Sequence, residues 1–356
     1  MTSPSHLRLA HSLIALVFFS ALTATCGARQ EENPGTTLVP ANAPAQADSP
    51  IAGFARMIPG EWQVTAQSGR SMYHTWHWGP GKHSMRRMTD GLDAGGSPWY
   101  ELRAVYWHPH FKQVRMLGLT PFAKGVMEGA VKLEKDTAEA VFDLYQTGGL
   151  RKMALNWRFE GPDKFHERLL ESTGPAGYSL LVEWDQMRKA PTPARPRIIE
   201  ETSNLAASLK SLESLRGHIW EAKGNGTTGG ILQTQTTLES IPLNDAVYVR
   251  VLGPPQEGGP AHFLDAYLYY HTGFKTVRCL ALSNHGAVYE GPMTVMKDGA
   301  LQLDLTGYEG DRAVPYVARF SFENDGALRQ QIWSVKDKER TLVLDLLHKK
   351  GDKKKN

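Results

Sequence analysis

Along most of the chain, apolar and polar residues alternate in short runs. Ser71 to Trp78, Trp99 to His108, Gln113 to Thr120, Val126 to Leu133, Ala138 to Tyr145, Met153 to Phe159, Lys164 to Glu171 and Tyr178 to Asp185 are rich in aromatic and β-branched residues and are separated by Gly, Pro and Asp. A second series follows: Gly230 to Leu238, Ala246 to Leu252, Ala261 to Tyr270, Lys275 to Leu282, Val288 to Val295, Leu301 to Thr306, Val317 to Phe322, Gln330 to Val335 and Thr341 to Leu347. Runs of this length and alternation predict β-strands joined by tight connections. With about eight strands in each half, the pattern predicts an all-β protein, each half an antiparallel barrel or sandwich.

A helical period surfaces at only two places. Phe54, Met57 and Ile58 precede Gly60-Glu61-Trp62 with the spacing of one short helical turn. From Ile198 through Leu205, Leu209, Leu212 and Leu215, apolar residues recur at three- and four-residue steps, which predicts an amphipathic helix lying across the entrance of the second barrel and ending at Gly217.

The two series are copies of one module. Tyr106-Trp-His-Pro-His-Phe-Lys-Gln-Val-Arg115 returns, with six of ten residues identical, as Tyr269-Tyr-His-Thr-Gly-Phe-Lys-Thr-Val-Arg278. The echo continues: Leu117 and Leu119 answer to Leu280 and Leu282, Glu128-Gly129 to Glu290-Gly291, and Lys135-Asp136 to Lys297-Asp298. A repeat of about 160 residues is far longer than a solenoid or propeller unit, so each copy is expected to carry its own core.

That reading divides the chain. Residues 51–189 form the first domain and 205–347 the second, joined by a linker over 190–204 that contains Ala190-Pro-Thr-Pro-Ala-Arg-Pro196. Residues 1–28 read as an export signal, with His6, Arg8 and His11 ahead of the apolar run Leu13 to Ala24. Cys26 sits where a bacterial lipoprotein would be acylated, although Thr23-Ala-Thr-Cys26 departs from the usual pattern. Residues 29–50 hold four prolines and almost no large apolar group, the composition of a spacer. The expected address is therefore outside the cytoplasm, periplasmic or extracellular, with membrane contact only through a lipid on Cys26.

Composition adds little and excludes much. The 356 residues are 41% apolar and 22% charged, with a net charge of +3, and the tail from His348 to Asn356 alone carries five lysines against one aspartate. A solvated, Lys-rich tail over 348–356 accounts for that charge, so no nucleic-acid partner is expected. Cys279 is the one cysteine in the body of the chain, and no disulfide within a domain can form.

No motif specifies a reaction. His74 and His77 sit three apart on a strand, where they point to opposite faces and cannot share a metal. His108 and His110 share a face, but Pro109 intervenes and the second copy has Gly273 in place of the partner. Gly224-Asn-Gly-Thr-Thr-Gly229 spells a dinucleotide pattern but is followed by a strand-like run rather than a helix, so it reads as a hairpin loop. Glu128 and Glu290, each before a glycine, read as solvating a strand edge. No cofactor or metal is expected.

The order Gly60-Glu-Trp62, Tyr106 to Lys112, Glu128-Gly129 and Lys135-Asp136, repeated from Gly217 onward, resembles the DUF1579 family of lipocalin-like, or calycin-like, β-barrels. The resemblance implies two tandem antiparallel barrels and brings no assigned reaction. In calycins the tryptophan of Gly-x-Trp plugs the closed end of the barrel, often beneath a basic side chain from the last strand. By that resemblance Trp62 pairs with Arg188 and Trp220 with Lys349. The chain departs from the family in having His108 and His271 where Asp is usual, and in one extra residue between Gly217 and Trp220.

Aromatic residues are the remaining functional candidates. Trp62, Trp76, Trp78, Tyr106, Trp107, Trp220, Tyr269 and Tyr270 are the set from which a barrel interior would draw its lining. The expectation is an exported, non-catalytic protein that binds a small hydrophobic molecule in a barrel cavity, that of the first copy, whose greater share of tryptophan would make any pocket there the more apolar. The competing readings are an envelope module whose barrels are filled, and a haem-binding or hydrolytic barrel, for which His166 is the one strand histidine in position.

Overall fold

The computed structural model describes residues 49–58, 60–65, 71–93, 95–189, 205–225, 231–242, 245–254 and 261–351. The export segment, Cys26, nearly all of the spacer and the whole proline-rich linker lie outside the described residues.

Each copy is a closed antiparallel barrel of ten strands in simple up-and-down order, the first strand closing against the last. In the first barrel the strands run from Glu61–Thr65 to Tyr178–Lys189, and in the second from Ile219–Asn225 to Glu339–Gly351. Closure sets Trp62 opposite Arg188 and Trp220 opposite Lys350. Three strands lie outside the alternating runs, the first strand of each barrel and Ser84–Leu92. In Ser84–Leu92, Arg86, Arg87 and Asp90 interrupt the apolar pattern, yet Arg87 turns into the first barrel while Arg86 faces the second. The final strand runs through Lys349 and Lys350 to Gly351, so the Lys-rich tail expected from residue 348 begins later.

Both predicted helical segments are 3-10 helices, Ala52–Met57 and Ala207–Leu215. The reason is the spacing. Ile51, Phe54 and Met57, like Leu209, Leu212 and Leu215, are buried at strict three-residue steps, which a helix of three residues per turn places on one face. The second helix does not cover the entrance opposite the tryptophan. It closes the same end, because Trp220 Nε1 donates to the Leu215 carbonyl at 2.9 Å, as Trp62 Nε1 donates to that of Met57 at 3.0 Å. The tryptophan keeps its distance of five residues from the helix end in both copies, so the extra residue before Trp220 shifts only the glycine.

The basic side chain over each tryptophan is present. The Arg188 guanidinium sits 4.3 Å from the Trp62 ring centre. Over Trp220 it is Lys350, at 5.5 Å, and not Lys349, which pairs in register with Glu221.

The barrels pack side by side through a third apolar cluster made from the outer faces of both, with Tyr100, Leu102 and Leu117 of the first meeting Tyr248, Tyr267 and Leu280 of the second. The contacts across it are reciprocal. His271 Nε2 lies 3.4 Å from Glu128, and His108 Nε2 lies 3.8 Å from Glu290. Glu128 and Glu290 therefore face the neighbouring barrel rather than solvating a strand edge. His271 Nδ1 accepts the backbone N–H groups of Gly273 and Phe274 within its own turn, so Nε2 carries the proton and points to the carboxylate. His108 does the same with Phe111. A histidine at this position caps the hairpin and reaches the other barrel at once.

Candidate binding site

The closed ends and the strand registers make the two interiors comparable position by position. The tryptophan candidates are inside: Trp62 and Trp76 belong to the first barrel's core, Trp78 and Trp107 pack against it, and Trp220 and Tyr270 do the same in the second. Tyr106 and Tyr269 are not interior residues. They lie one position away from Trp107 and Tyr270 on the same strands, and so face outward into the cluster between the barrels. His166, the candidate for a haem barrel, also faces outward, where Asp185 and Glu183 hold its ring at 2.9 and 3.3 Å.

Deep in the first barrel lies a charged network that sequence reading missed. Glu167, fully buried, takes Arg87 Nη1 at 2.9 Å and Arg103 Nη1 at 2.8 Å, and Gln186 donates to it as well. Arg103 Nε reaches Glu101 at 2.5 Å, and Arg87 Nε donates to His74 Nδ1 at 3.2 Å. Two arginines against two glutamates balance, as buried charge must. Burial pushes the Glu167 carboxyl up, but the two guanidinium groups outweigh it and hold it below the usual carboxylate range. Burial, followed by repulsion from Arg87 and Arg103, keeps the His74 ring well below its ordinary value, so the ring is neutral. The interior of the first barrel carries this charged network, which counts against the expectation that a pocket in the first copy is the more apolar.

The second barrel contains a cavity of about 50 Å³ instead, walled by Leu215, Trp220, Leu238, Ala266, Met293 and Phe320 among others. Register explains why. Arg103, opposite Arg87 in the first barrel, corresponds to Ala266, opposite Val249 in the second. By the same pairing Trp76 corresponds to Leu238, Trp157 to Phe320, Phe165 to Leu328 and Met116 to Cys279. All six smaller residues, Val249 included, line the cavity. The opposite exchanges, of Val131, Ala138 and Ala140 for Met293, Leu301 and Leu303, return only part of the lost volume. Space too small for its neighbours to collapse into remains open in a close-packed interior.

The polar spot of the first barrel survives in the second in neutral form. His74, Glu167 and Gln186 correspond to Thr236, Gln330 and His348, and all three of the latter line the cavity. His348 Nε2 and Gln330 Oε1 are 2.8 Å apart. Burial holds the His348 ring down at about 4, so it is uncharged at neutral pH. Cys279, also in the wall, has its thiol pushed up by burial and stays protonated.

No family model matches the chain, and no curated protein matches it. Among solved structures, it is similar to a redesigned β-barrel, mFAP1, bound to DFHBI, at 17% identity over 38% of this chain and 97% of that one, with a TM-score of 0.22. A protein of unknown function from the DUF3598 family of Nostoc punctiforme is similar at 13% identity over 85% of this chain and 99% of that one, with a TM-score of 0.18. Likenesses this weak say nothing about a ligand of this chain.

Proposed function

We propose that the protein is a non-catalytic binder of a small hydrophobic molecule, held in the second barrel, with the first barrel as a filled structural partner. One observation carries the reading: the second interior keeps an apolar cavity where the first, built on the same register, has arginine and tryptophan side chains. Moving a small apolar molecule into such a space is favourable, because it takes apolar surface out of water. At about 50 Å³ the cavity is a third of the roughly 150 Å³ that admits benzene. The occupant is therefore only a few heavy atoms in size, or gains room when Met293, unbranched and easily repacked, swings aside. The likeness of the sequence to DUF1579 barrels and the export signal over residues 1–28 support placing this binder outside the cytoplasm, as a soluble protein or tethered by a lipid at Cys26. Neither nucleic acid nor a cofactor enters this reading.

The test uses the methyl carbon of Met293 as a reporter in NMR spectra of the intact protein. Xenon and cyclopentane should shift it saturably, and Ala266→Leu, which fills the space, should abolish the response while the melting temperature holds or rises. Absence of any saturable shift in the unaltered protein would leave both barrels as filled modules of the cell envelope.

A further inference from the structure

Within an otherwise apolar wall, three polar side chains converge. Gln330 is 0% exposed, His348 2% and Thr236 6%, and all three line the cavity. The contact between His348 Nε2 and Gln330 Oε1 uses one atom of each and leaves Gln330 Nε2, His348 Nδ1 and Thr236 Oγ1 without partners. Buried polar atoms are seldom left this way, and each costs about 1–3 kcal/mol when it is. With His348 Nε2–H donating to the Gln330 carbonyl oxygen, the remaining atoms of that pair are one donor, the Gln330 NH₂, and one acceptor, His348 Nδ1, and the Thr236 hydroxyl can serve as either. Turning the amide over exchanges the roles but again leaves one donor and one acceptor side by side.

We infer that the ligand of this cavity is a small neutral alcohol or phenol, its hydroxyl oxygen accepting from one member of the Gln330–His348 pair and its O–H donating to the other. The inference rests on the binding function proposed above and adds the chemical class of the ligand. A carbonyl or a carboxylate only accepts, and an ammonium only donates. A charged group would also have to be desolvated against leucine, phenylalanine and tryptophan with no counter-charge among the cavity-lining residues. The ring of His348 stays neutral at physiological pH, which keeps its second nitrogen able to complement a hydroxyl. In the first barrel the equivalent glutamate is engaged by Arg87 and Arg103, and the atoms left without partners at the same three positions, His74 Nε2 and Gln186 Oε1, sit beside that charged group.

The experiment compares cyclopentanol with methylcyclopentane, which differ by a hydroxyl in place of a methyl, in the full chain and in its Gln330→Leu/His348→Leu double variant. Affinities come from the Met293 methyl shift. The double variant should lose about tenfold in affinity for cyclopentanol relative to methylcyclopentane, the worth of one or two neutral hydrogen bonds. In the unaltered protein the Gln330 side-chain amide resonances should move with cyclopentanol and not with methylcyclopentane, a reading that stands even where the double variant fails to fold. An unchanged affinity ratio, or amide resonances that ignore cyclopentanol, overturns the inference and assigns the polar spot to a bound water, while hydrocarbon binding remains intact. If neither compound binds, this inference is overturned, and the xenon response decides separately whether the proposed function stands.

Discussion

Tyr269 of the second barrel donates its hydroxyl hydrogen to Glu128 of the first, oxygen to oxygen at 2.8 Å. His271 approaches the other oxygen of the same carboxylate, so one glutamate holds two side chains of the neighbouring barrel. Burial raises the Glu128 carboxyl, but the contacts from His271 and Tyr269 outweigh it, and the net direction is downward. The relationship is only half symmetric, since Glu290 lies 3.8 Å from His108. Glu128→Ala should therefore destabilise the protein by about 1–3 kcal/mol, because it leaves a buried tyrosine hydroxyl and a buried imidazole N–H unpaired. Glu290→Ala should cost less. Urea unfolding of the two variants measures the difference, and equal midpoints would contradict it.

Glu167 offers a sharper contrast. Removing the carboxylate that Arg87 and Arg103 share leaves two buried cations against Glu101 alone, and Glu167→Gln should cost about 3–5 kcal/mol. That the second barrel carries Gln330 at the same position does not make the exchange harmless, because Val249 and Ala266 stand there in place of the arginines. The pH dependence has a definite sign. The folded carboxyl titrates below its unfolded value of about 4.3, so its stabilisation is complete above that pH and is lost as pH falls through the lower, folded value. Acid unfolding should be steeper in the unaltered protein than in the variant, which has no group to protonate there.

The caps over the two tryptophans should differ in strength. Arg188 stacks on Trp62 and donates from Nη2 to the carbonyl oxygens of Arg56, at 2.5 Å, and Pro162, at 2.8 Å. Lys350 offers Trp220 an ammonium at 5.5 Å. Arg188→Ala should lower stability by about 1–3 kcal/mol, through lost hydrogen bonds as well as the ring contact. Lys350→Ala should lower it by about 0.5–1 kcal/mol. Thermal unfolding, followed by near-ultraviolet circular dichroism of the tryptophans, ranks the two, and the reverse order would refute the geometric account.

The sequence by itself determined the fold class and its duplication. Alternation with period two is a direct consequence of strand geometry, and the six identities in ten residues between the Tyr106 and Tyr269 stretches need no coordinates to be seen. The tryptophan plugs were implied by the resemblance to calycins alone, and the structure adds that Trp62 and Trp220 keep a fixed distance from the short helices before them. Alternation further separates Trp107 from Tyr106 and Tyr270 from Tyr269, but it cannot say which face is the inside.

Tertiary structure alone decided what each face meets. A barrel that stands alone has one apolar face, whereas one packed against a partner has two, so Tyr106 and Tyr269 read as interior candidates until the second barrel is in place. The charged network was hidden for a related reason. Arg87, Arg103, Glu101 and Glu167 are scattered over three strands, and only closure of the sheet brings them within hydrogen-bond reach. The cavity is the least legible feature of all. No single residue encodes it, because empty volume is a difference between paired positions such as Arg103 and Ala266, and it exists only when every neighbour has failed to fill it.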